Sequence, residues 1–444
     1  MPMSFTFIDL FAGIGGFHAA LKKFGGNAIF VSEIDQAAKI VYENNWIKDD
    51  LIISGNIKPL TEGDEVLVPK HNILTGGFPC QPFSKSGNQK GVNEARGTLF
   101  FNILKVIESK KPELVLLENV RNLVGPKHIS DYKKMVKLLR QLGYVVSTEP
   151  TIISPHEIPE KFGGSPQHRE RVFIGAIKMD NINSKLYDNL GPLIERKPFS
   201  EIGEWDLQDF LDRKLMTSKN IGETKSLNKS QLQALAAWNE FLKTYRKINR
   251  QNLPGFPLWS EFWQQRSNFV ISRSTPAWKK IFIENNNTFY TANKKWINDW
   301  KKEYEFESFI PSYKKFEWQA RDERDIYKCL VQFRPSGIRV KNPNYVPAFV
   351  ALTQTPILGW KKRPLNISEA KLLQGFPDTF NFGDQNDSAS FKQIGNAVHV
   401  GVASLVFQAL VKRAIRIKQP WALSLDTSEF SLGDVPLGDD GTLF

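Results

Sequence analysis

At 444 residues, 41% hydrophobic and 24% charged, the chain has the size and makeup of a globular protein of two or three domains, and it has no run of about eighteen apolar residues to cross a membrane. Two cysteines, Cys80 and Cys329, exclude a disulfide framework; without CxxC, HExxH or clustered histidines no metal is expected. A formal charge of +12 and a pI near 9.4 suit a polyanionic partner such as nucleic acid, and an N-terminus without a basic lead-in to its apolar run argues against a secretory signal and for a reducing cytoplasm.

Phe5–Leu10 reads as a strand and AGIGG as a turn. A helix follows, with Phe17, Ala20, Leu21 and Phe24 on one face and Gly25 at its end. Asn27–Glu33 is a second strand, and Asp35 is placed to cap a helix carrying Ala38, Val41 and Tyr42. IISGNI and HNILTGG are strand-like. Phe100, Ile103, Leu104 and Ile107 mark a helix that Pro112 stops. Glu113–Leu117 is the continuous apolar run of a central buried strand. Met135, Leu138, Leu139 and Leu142 mark another helix, and strands near 144–147 and 172–177 close the region. This alternation predicts an α/β fold with a doubly wound, mostly parallel sheet over residues 1–180.

From 181 to 362 the chain turns rich in Trp, Phe, Lys and Asn, a second, smaller domain. Order returns at Arg363. Asn366 or Ser368 caps a short helix ended by Gly375 and Pro377. A long amphipathic helix is expected from near Asn396 through Val402, Leu405, Val406, Leu410 and Val411, returning residues 363–420 to the first domain. Residues 421–444 read as a loosely held tail.

Gly13, Gly15 and Gly16 stand between the first strand and helix, where a missing Cβ lets the backbone approach a ligand. G-x-G-x-x-G would need glycine at 18, where His18 stands, so a pyrophosphate is disfavoured. Glu33 ends the second strand, placed to accept from both hydroxyls of a ribose. The pair predicts an adenosine-containing cofactor. In GGFPCQPFS, Cys80 sits between two prolines after the fourth strand; Glu118 ends the fifth. In a parallel sheet both face the carboxyl rim where ligands gather. A free cysteine is often merely packed and a glutamate can cap a helix, but a buried strand-end glutamate is costly unless paired or functional. Arg169 and Arg171, alternating in QHRERVF, are placed to hold an anion, either a phosphate or Glu118.

Taken in order, FIDLFAGIGG, GGFPCQPFS, ENV, QHRERVF, RPLNISEAKLLQGFP and QIGNAV resemble the DNA (cytosine-5)-methyltransferase family, over roughly the first 180 residues and about 363–415. The resemblance implies methyl transfer from S-adenosylmethionine, with S-adenosylhomocysteine as product, to C5 of a cytosine flipped out of duplex DNA. It implies Cys80 as the nucleophile adding to C6, Glu118 as the acid at the ring's N3 and amine, and Arg169, with Arg171, steadying the base and Glu118. Phe11 and the backbone of Ala12, Gly13, Ile14, Gly15 and Gly16 would line the donor. Glu33 would take its ribose, and Ile34 and Ile57 would sandwich adenine. Pro79, Leu99, Asn396 and Ala397 would complete the pocket. Asn56 stands where the family pattern has Asp, which removes a charge-assisted bond.

Gln81, Ser84, Ser86 and Lys90, in or beside the glycine- and lysine-rich loop after Cys80, would lie near the target. In the middle region Arg334, Arg339, Lys341, Gln354 and Thr355 are candidate DNA contacts, and the Trp-rich stretch near 227–304 is a helical insertion whose aromatics read as core. The resemblance further implies a bacterial, monomeric enzyme that works alongside a restriction endonuclease. Methylation of tRNA, a DNA-binding regulator with a spent site and a thiol-dependent NAD oxidoreductase are the competing readings.

Overall fold

The computed structural model describes residues 4–47, 51–79, 99–179, 190–199, 203–216, 225–268, 270–349 and 355–438. They belong to two compact units, one of residues 1–205, 347–351 and 370–444, the other of 206–346 and 352–369. The first alternates strand and helix: β1 (Thr6–Leu10), α1 (Gly16–Lys22), β2 (Asn27–Ser32), α2 (Gln36–Trp46), β3 (Ile52–Ser54), α3 (Lys58–Thr61), β4 (Ile73–Gly77), α4 (Leu99–Lys110), β5 (Leu114–Val120), α5 (Ile129–Gln141), β6 (Tyr144–Val146), β7 (Thr151–Ile153), β8 (Gln167–His168) and β9 (Arg171–Lys178).

The main sheet has the order β3-β2-β1-β4-β5-β9-β6, with β7 also on β9. β1 to β5 run parallel, while β9 is antiparallel to β5, β6 and β7. The order reverses at β1, since β2 and β4 lie on its two sides. Ligands of open α/β sheets bind at such a reversal, outside the carboxyl ends. Asp35 caps α2 by accepting from Ala37 N and Ala38 N. One sheet face, with Ile8, Leu10, Leu74, Val115 and Leu117, packs with Ile103, Leu104 and Ile107 of α4 and Leu138 and Leu139 of α5.

The second unit contains α6 (Leu207–Met216), α7 (Lys229–Asn249), β10 (Leu258–Trp259), α8 (Ala277–Glu303), β11 (Lys315–Gln319), β12 (Leu330–Arg334) and β13 (Gly337–Lys341). After β14 (Val346–Pro347) come β15 (Ile357–Leu358) and β16 (Arg363–Pro364). Its sheet has the order β10-β11-β13-β12-β15-β16. Ala234, Leu235, Trp238, Phe241, Leu242 and Tyr245 recur every three or four residues, so α7 presents one apolar stripe. Trp238 lies flat on Phe316, centroids 4.6 Å apart, and Phe241 on Trp263 at 5.5 Å. The Trp-rich stretch is therefore largely the core of this unit, built by α7 and α8.

The return segment holds α9 (Ile367–Leu373), α10 (Asp387–Asn396), α11 (Val400–Arg416) and α12 (Pro420–Ser424). Asn366 and Glu369 form a reciprocal capping box ahead of α9. The helix expected from near Asn396 is α11, which begins four residues later, and a separate helix precedes it. α10 ends at Asn396, and α11 starts at Val400 because His399 Nδ1 accepts from Val402 N at 3.2 Å. α11 carries a polar stripe of Ser404, Gln408, Lys412 and Arg416, yet every residue from Val400 to Val411 is buried. The stretch from Asp387 to Arg416, long and apolar enough in composition to cross a membrane, is mostly buried, as a core segment is. The segment after 420 is also better held than its composition suggests. Phe430 packs on Phe24 at 4.6 Å, Lys412 Nζ donates to Val435 O at 2.8 Å, and Val435 is buried.

Candidate active site

The carboxyl ends of β1, β2, β4 and β5 share one rim. The chain leaves β1 through Phe11 and Gly13, both left-handed with φ of 58° and 56°. A Cβ on Gly15, φ 88°, would stand 2.3 Å from Trp46 Nε1, and that indole donates to Ile14 O at 3.0 Å. A Cβ on Gly16 would fall 2.5 Å from the carbonyl of Val398. Trp46 and Val398 thus hold the loop, while around Gly13 a Cβ would meet nothing within 4 Å. Ala12 and Ile14 are buried.

Glu33 closes over this loop. Its Oε2 accepts from Gly13 N and its Oε1 from Asp35 N, both at 2.7 Å, which leaves each oxygen a lone pair for a further donor. Burial pushes its pKa up against those hydrogen bonds. Ser32 Oγ donates to Gly55 O and Glu33 N to Ser54 O, binding the ends of β2 and β3 together. Next to Glu33, Ile34 is 73% exposed, while Ile57 is buried. Asn56 Oδ1 accepts from Lys58 N at 3.1 Å, at the start of α3. Leu99 is half-buried, Pro79 and Asn396 are exposed, and Ala397 is buried.

Glu118 stands in register with Gly77 across the β4–β5 pair. Its Oε1 accepts from Arg171 Nε at 3.0 Å, and burial raises its pKa despite the neighbouring Arg171 and Arg169. Arg169 is placed differently from the expectation that it steadies Glu118. Its terminal amines donate to Gly395 O at 3.0 Å and Ala397 O at 2.8 Å, so it clamps the α10–α11 turn and reaches Glu118 only through space. The alternation in QHRERVF put both arginines at the strand but could not say which one turned toward Glu118. Sequence reasoning also gave no role to Asn119, whose Nδ2 donates to Phe78 O at 2.8 Å and fixes the chain where it leaves β4. The signal was an amide beside Glu118 at the end of an apolar strand, LVLLENV.

Cys80, Gln81, Ser84, Ser86, Lys90 and Gln354 lie outside the described residues. In the second unit Arg334, Arg339 and Lys341 fall on one face of β12 and β13, and Thr355 lies just before β15.

A second missed residue is Asp9, fully buried under the glycine loop. Thr75 Oγ1 donates to its Oδ1 at 2.9 Å, and its Oδ2 has no partner among the described residues. Burial, partly opposed by the Thr75 bond and reinforced by Glu33, pushes its pKa up to about 7. Keeping this carboxyl ionised would cost more than the ~1.5–3 kcal/mol a buried apolar side chain contributes, so it holds its proton. Between pH 3.8, where an unfolded aspartate ionises, and about 7, only the unfolded state releases a proton. The contribution of Asp9 to stability therefore falls across that window as pH rises, by up to about 1.4 kcal/mol per pH unit, and levels off above it. Asp9→Asn is expected to remove this contribution, so that the gap between wild type and variant changes with pH across the window. Urea midpoints measured at several pH values check it, and a wild-type-to-variant difference that does not change with pH would rule it out.

The family model described as C-5 cytosine-specific DNA methylase matches residues 5–412. Type II methyltransferase M.AluI of Cellulosimicrobium cellulans is 36% identical, over 92% of this chain and 92% of its own length. Type II methylase M.HgiEI of Herpetosiphon aurantiacus is 28% identical over 93% of this chain and 97% of its own. Type II methyltransferase M.HpaII of Haemophilus parainfluenzae is 41% identical over 45% of this chain and 53% of its own.

Proposed function

The chain belongs to the C-5 cytosine-specific DNA methylase family, and on that premise we propose that it methylates one cytosine of a specific duplex sequence through a covalent adduct, with S-adenosylmethionine as donor. The observation that carries this is the buried Glu118 paired with Arg171 on the rim that also holds Gly13 and Glu33. An acid for the base and a cradle for an adenosine share one strand-end edge.

The residues present fit the donor. Glu33 keeps lone pairs for ribose hydroxyls, Ile34 offers an exposed apolar face for adenine, and the space at Gly13 is open. Phe11, Ala12, Ile14, Gly15, Gly16, Asn56, Ile57, Pro79, Leu99, Asn396 and Ala397 complete the set we assign to it. Bound there, the donor supplies an electrophilic methyl group. Cys80 as thiolate adds to C6 of the flipped cytosine, breaking the C5–C6 double bond. Glu118 donates its proton to N3 as that bond breaks, so C5 becomes nucleophilic while the ring stays neutral. Arg171 holds the Glu118 carboxyl in place, and Arg169 holds the turn carrying Asn396 and Ala397. A base then takes the C5 proton, the electron pair left behind re-forms the C5–C6 double bond and expels the thiolate, and N3 returns its proton to Glu118.

Gln81, Ser84, Ser86 and Lys90 are assigned to the DNA near the target, and Arg334, Arg339, Lys341, Gln354 and Thr355 to recognition by the second unit. Protection of DNA from an endonuclease of the same specificity is the proposed role of a monomer acting in the bacterial cytoplasm. Bisulfite sequencing of plasmid from cells expressing the chain tests the whole reading. Protected cytosines within one short motif are expected, and unmodified plasmid from cells with abundant folded protein would defeat it.

Asn56 permits a gain-of-affinity test. A carboxylate at this position makes a charge-assisted bond to an adenine amine, roughly twice as strong as the neutral one. Asn56→Asp is expected to tighten the donor several-fold in calorimetry; unchanged or weaker binding would remove position 56 from the donor site.

A further inference from the structure

In the second unit β11, β13 and β12 lie side by side, and residues two apart share a face. Phe316, Ile338, Val340, Val331 and Phe333 point to the aromatic core. The other face carries three cross-strand rows. Glu317 stands beside Arg339, and Arg339 opposite Gln332. Gln319 and Lys341 form the row on one side, and Gly337 and Arg334 the row on the other. Four cations, Lys315, Arg334, Arg339 and Lys341, thus meet one carboxylate, Glu317. Lys315 is paired away with Glu261 at 3.1 Å.

Glu317 is held at both oxygens. Oε1 accepts from Gln319 Nε2, and Oε2 accepts from Arg339 Nε at 2.8 Å. A carboxylate on Nε fixes the plane of a guanidinium and leaves its terminal edge, a rigid pair of donors, unspent. Phosphate needs only charge from a side chain. A fixed planar fork matches two acceptors in one plane, as guanine O6 and N7 present in the major groove. Arg334 and Lys341 differ. Neither has a carboxylate partner among the described residues, Arg334 Nε is buried without a partner there, and Lys341 Nζ lies 4.1 Å from the Tyr345 ring centroid. Burial and the two arginines press the Lys341 ammonium down to about 8, so this face is short of negative charge.

We infer that Arg339 reads a guanine of the target sequence through its terminal edge, that Glu317 is the positioning residue fixing that fork, and that Arg334 and Lys341 beside it take phosphates. This rests on the proposal that the second unit reads duplex DNA.

The test compares plasmid methylation patterns, by bisulfite sequencing, for wild type, Arg339→Lys, Glu317→Gln and Lys341→Ala. The wild-type motif is expected to contain guanine. Arg339→Lys keeps the charge and loses the fork, so one guanine position should relax, with discrimination there falling about 5- to 150-fold. Glu317→Gln should relax the same position to a smaller degree. Lys341→Ala should keep the motif, lower methylation at every site and flatten the salt dependence of binding. Discrimination is a ratio within one sample, so loss of folded protein does not imitate it. Independently of any variant, 7-deazaguanine at that position, which lacks N7, should slow the wild type about tenfold. A motif without guanine, an Arg339→Lys motif identical to wild type, relaxation absent in Glu317→Gln, or indifference to 7-deazaguanine at every guanine would each overturn the inference. Absence of any methylated cytosine from wild type would instead remove the parent reading, and this one with it.

Discussion

A Cys80→Ser chain is expected to transfer no detectable methyl group to DNA, yet to bind the donor and unfold at the wild-type midpoint. Addition to C6 needs a strong nucleophile near neutral pH. A thiolate is available there, whereas a serine hydroxyl is a weak nucleophile at its own pKa unless a base activates it. The fold does not depend on this sulfur by the same reasoning: position 80 follows the end of β4, whose register with β5 and whose Phe78 carbonyl, bound by Asn119, are set by other atoms. The sharper measurement is trapping. Duplex carrying 5-fluorocytosine at the target blocks the final loss from C5, so wild type given donor should become covalently joined to it at position 80. Mass spectrometry finding wild type active but never joined, or joined at another residue, would sink the assignment.

Glu118→Gln is the second large loss, about 10²–10⁴-fold in kcat, with donor affinity unchanged. Glutamine keeps the shape and a donor amide but has no proton to give the ring. The pH profile separates a catalytic from a packing role. Burial raises the Glu118 pKa, so the acid stays loaded to higher pH than an ordinary glutamate. The wild-type rate should then fall as pH rises through that raised value, and Glu118→Gln should lack the descending limb. Arg171 favours the charged form and so lowers this pKa. Arg171→Met should therefore move the limb to higher pH as well as reduce the rate. A limb that persists in Glu118→Gln, or moves downward in Arg171→Met, would assign the titration to another group.

Asp9 shows how stability and site are coupled on this rim. The same strand ends that present Glu33 and Glu118 bury a third carboxyl beneath the glycine loop, satisfied on one side by Thr75. It keeps its proton up to about pH 7, so the loop tolerates it at the cost of a pH-dependent fold.

Composition, periodicity and the order of short motifs determined much of this protein. The β1–AGIGG–α1 turn, the Asp35 cap, the helix stopped before Pro112 and the apolar β5 run were all legible, because each depends on neighbours within a few residues. The identity of the rim residues was legible as well, since strand ends in a parallel sheet face one edge. Tertiary structure alone decided which arginine faces Glu118, because alternation along a strand says nothing about what lies across from it. It alone set the start of α11 at Val400, after a turn whose Gly395 and Ala397 carbonyls accept from Arg169, more than two hundred positions away. It alone buried α11 from Val400 to Val411 and turned Glu317 toward Arg339. Those outcomes belong to pairings between segments distant in the chain, and local sequence carries no record of its partner's position.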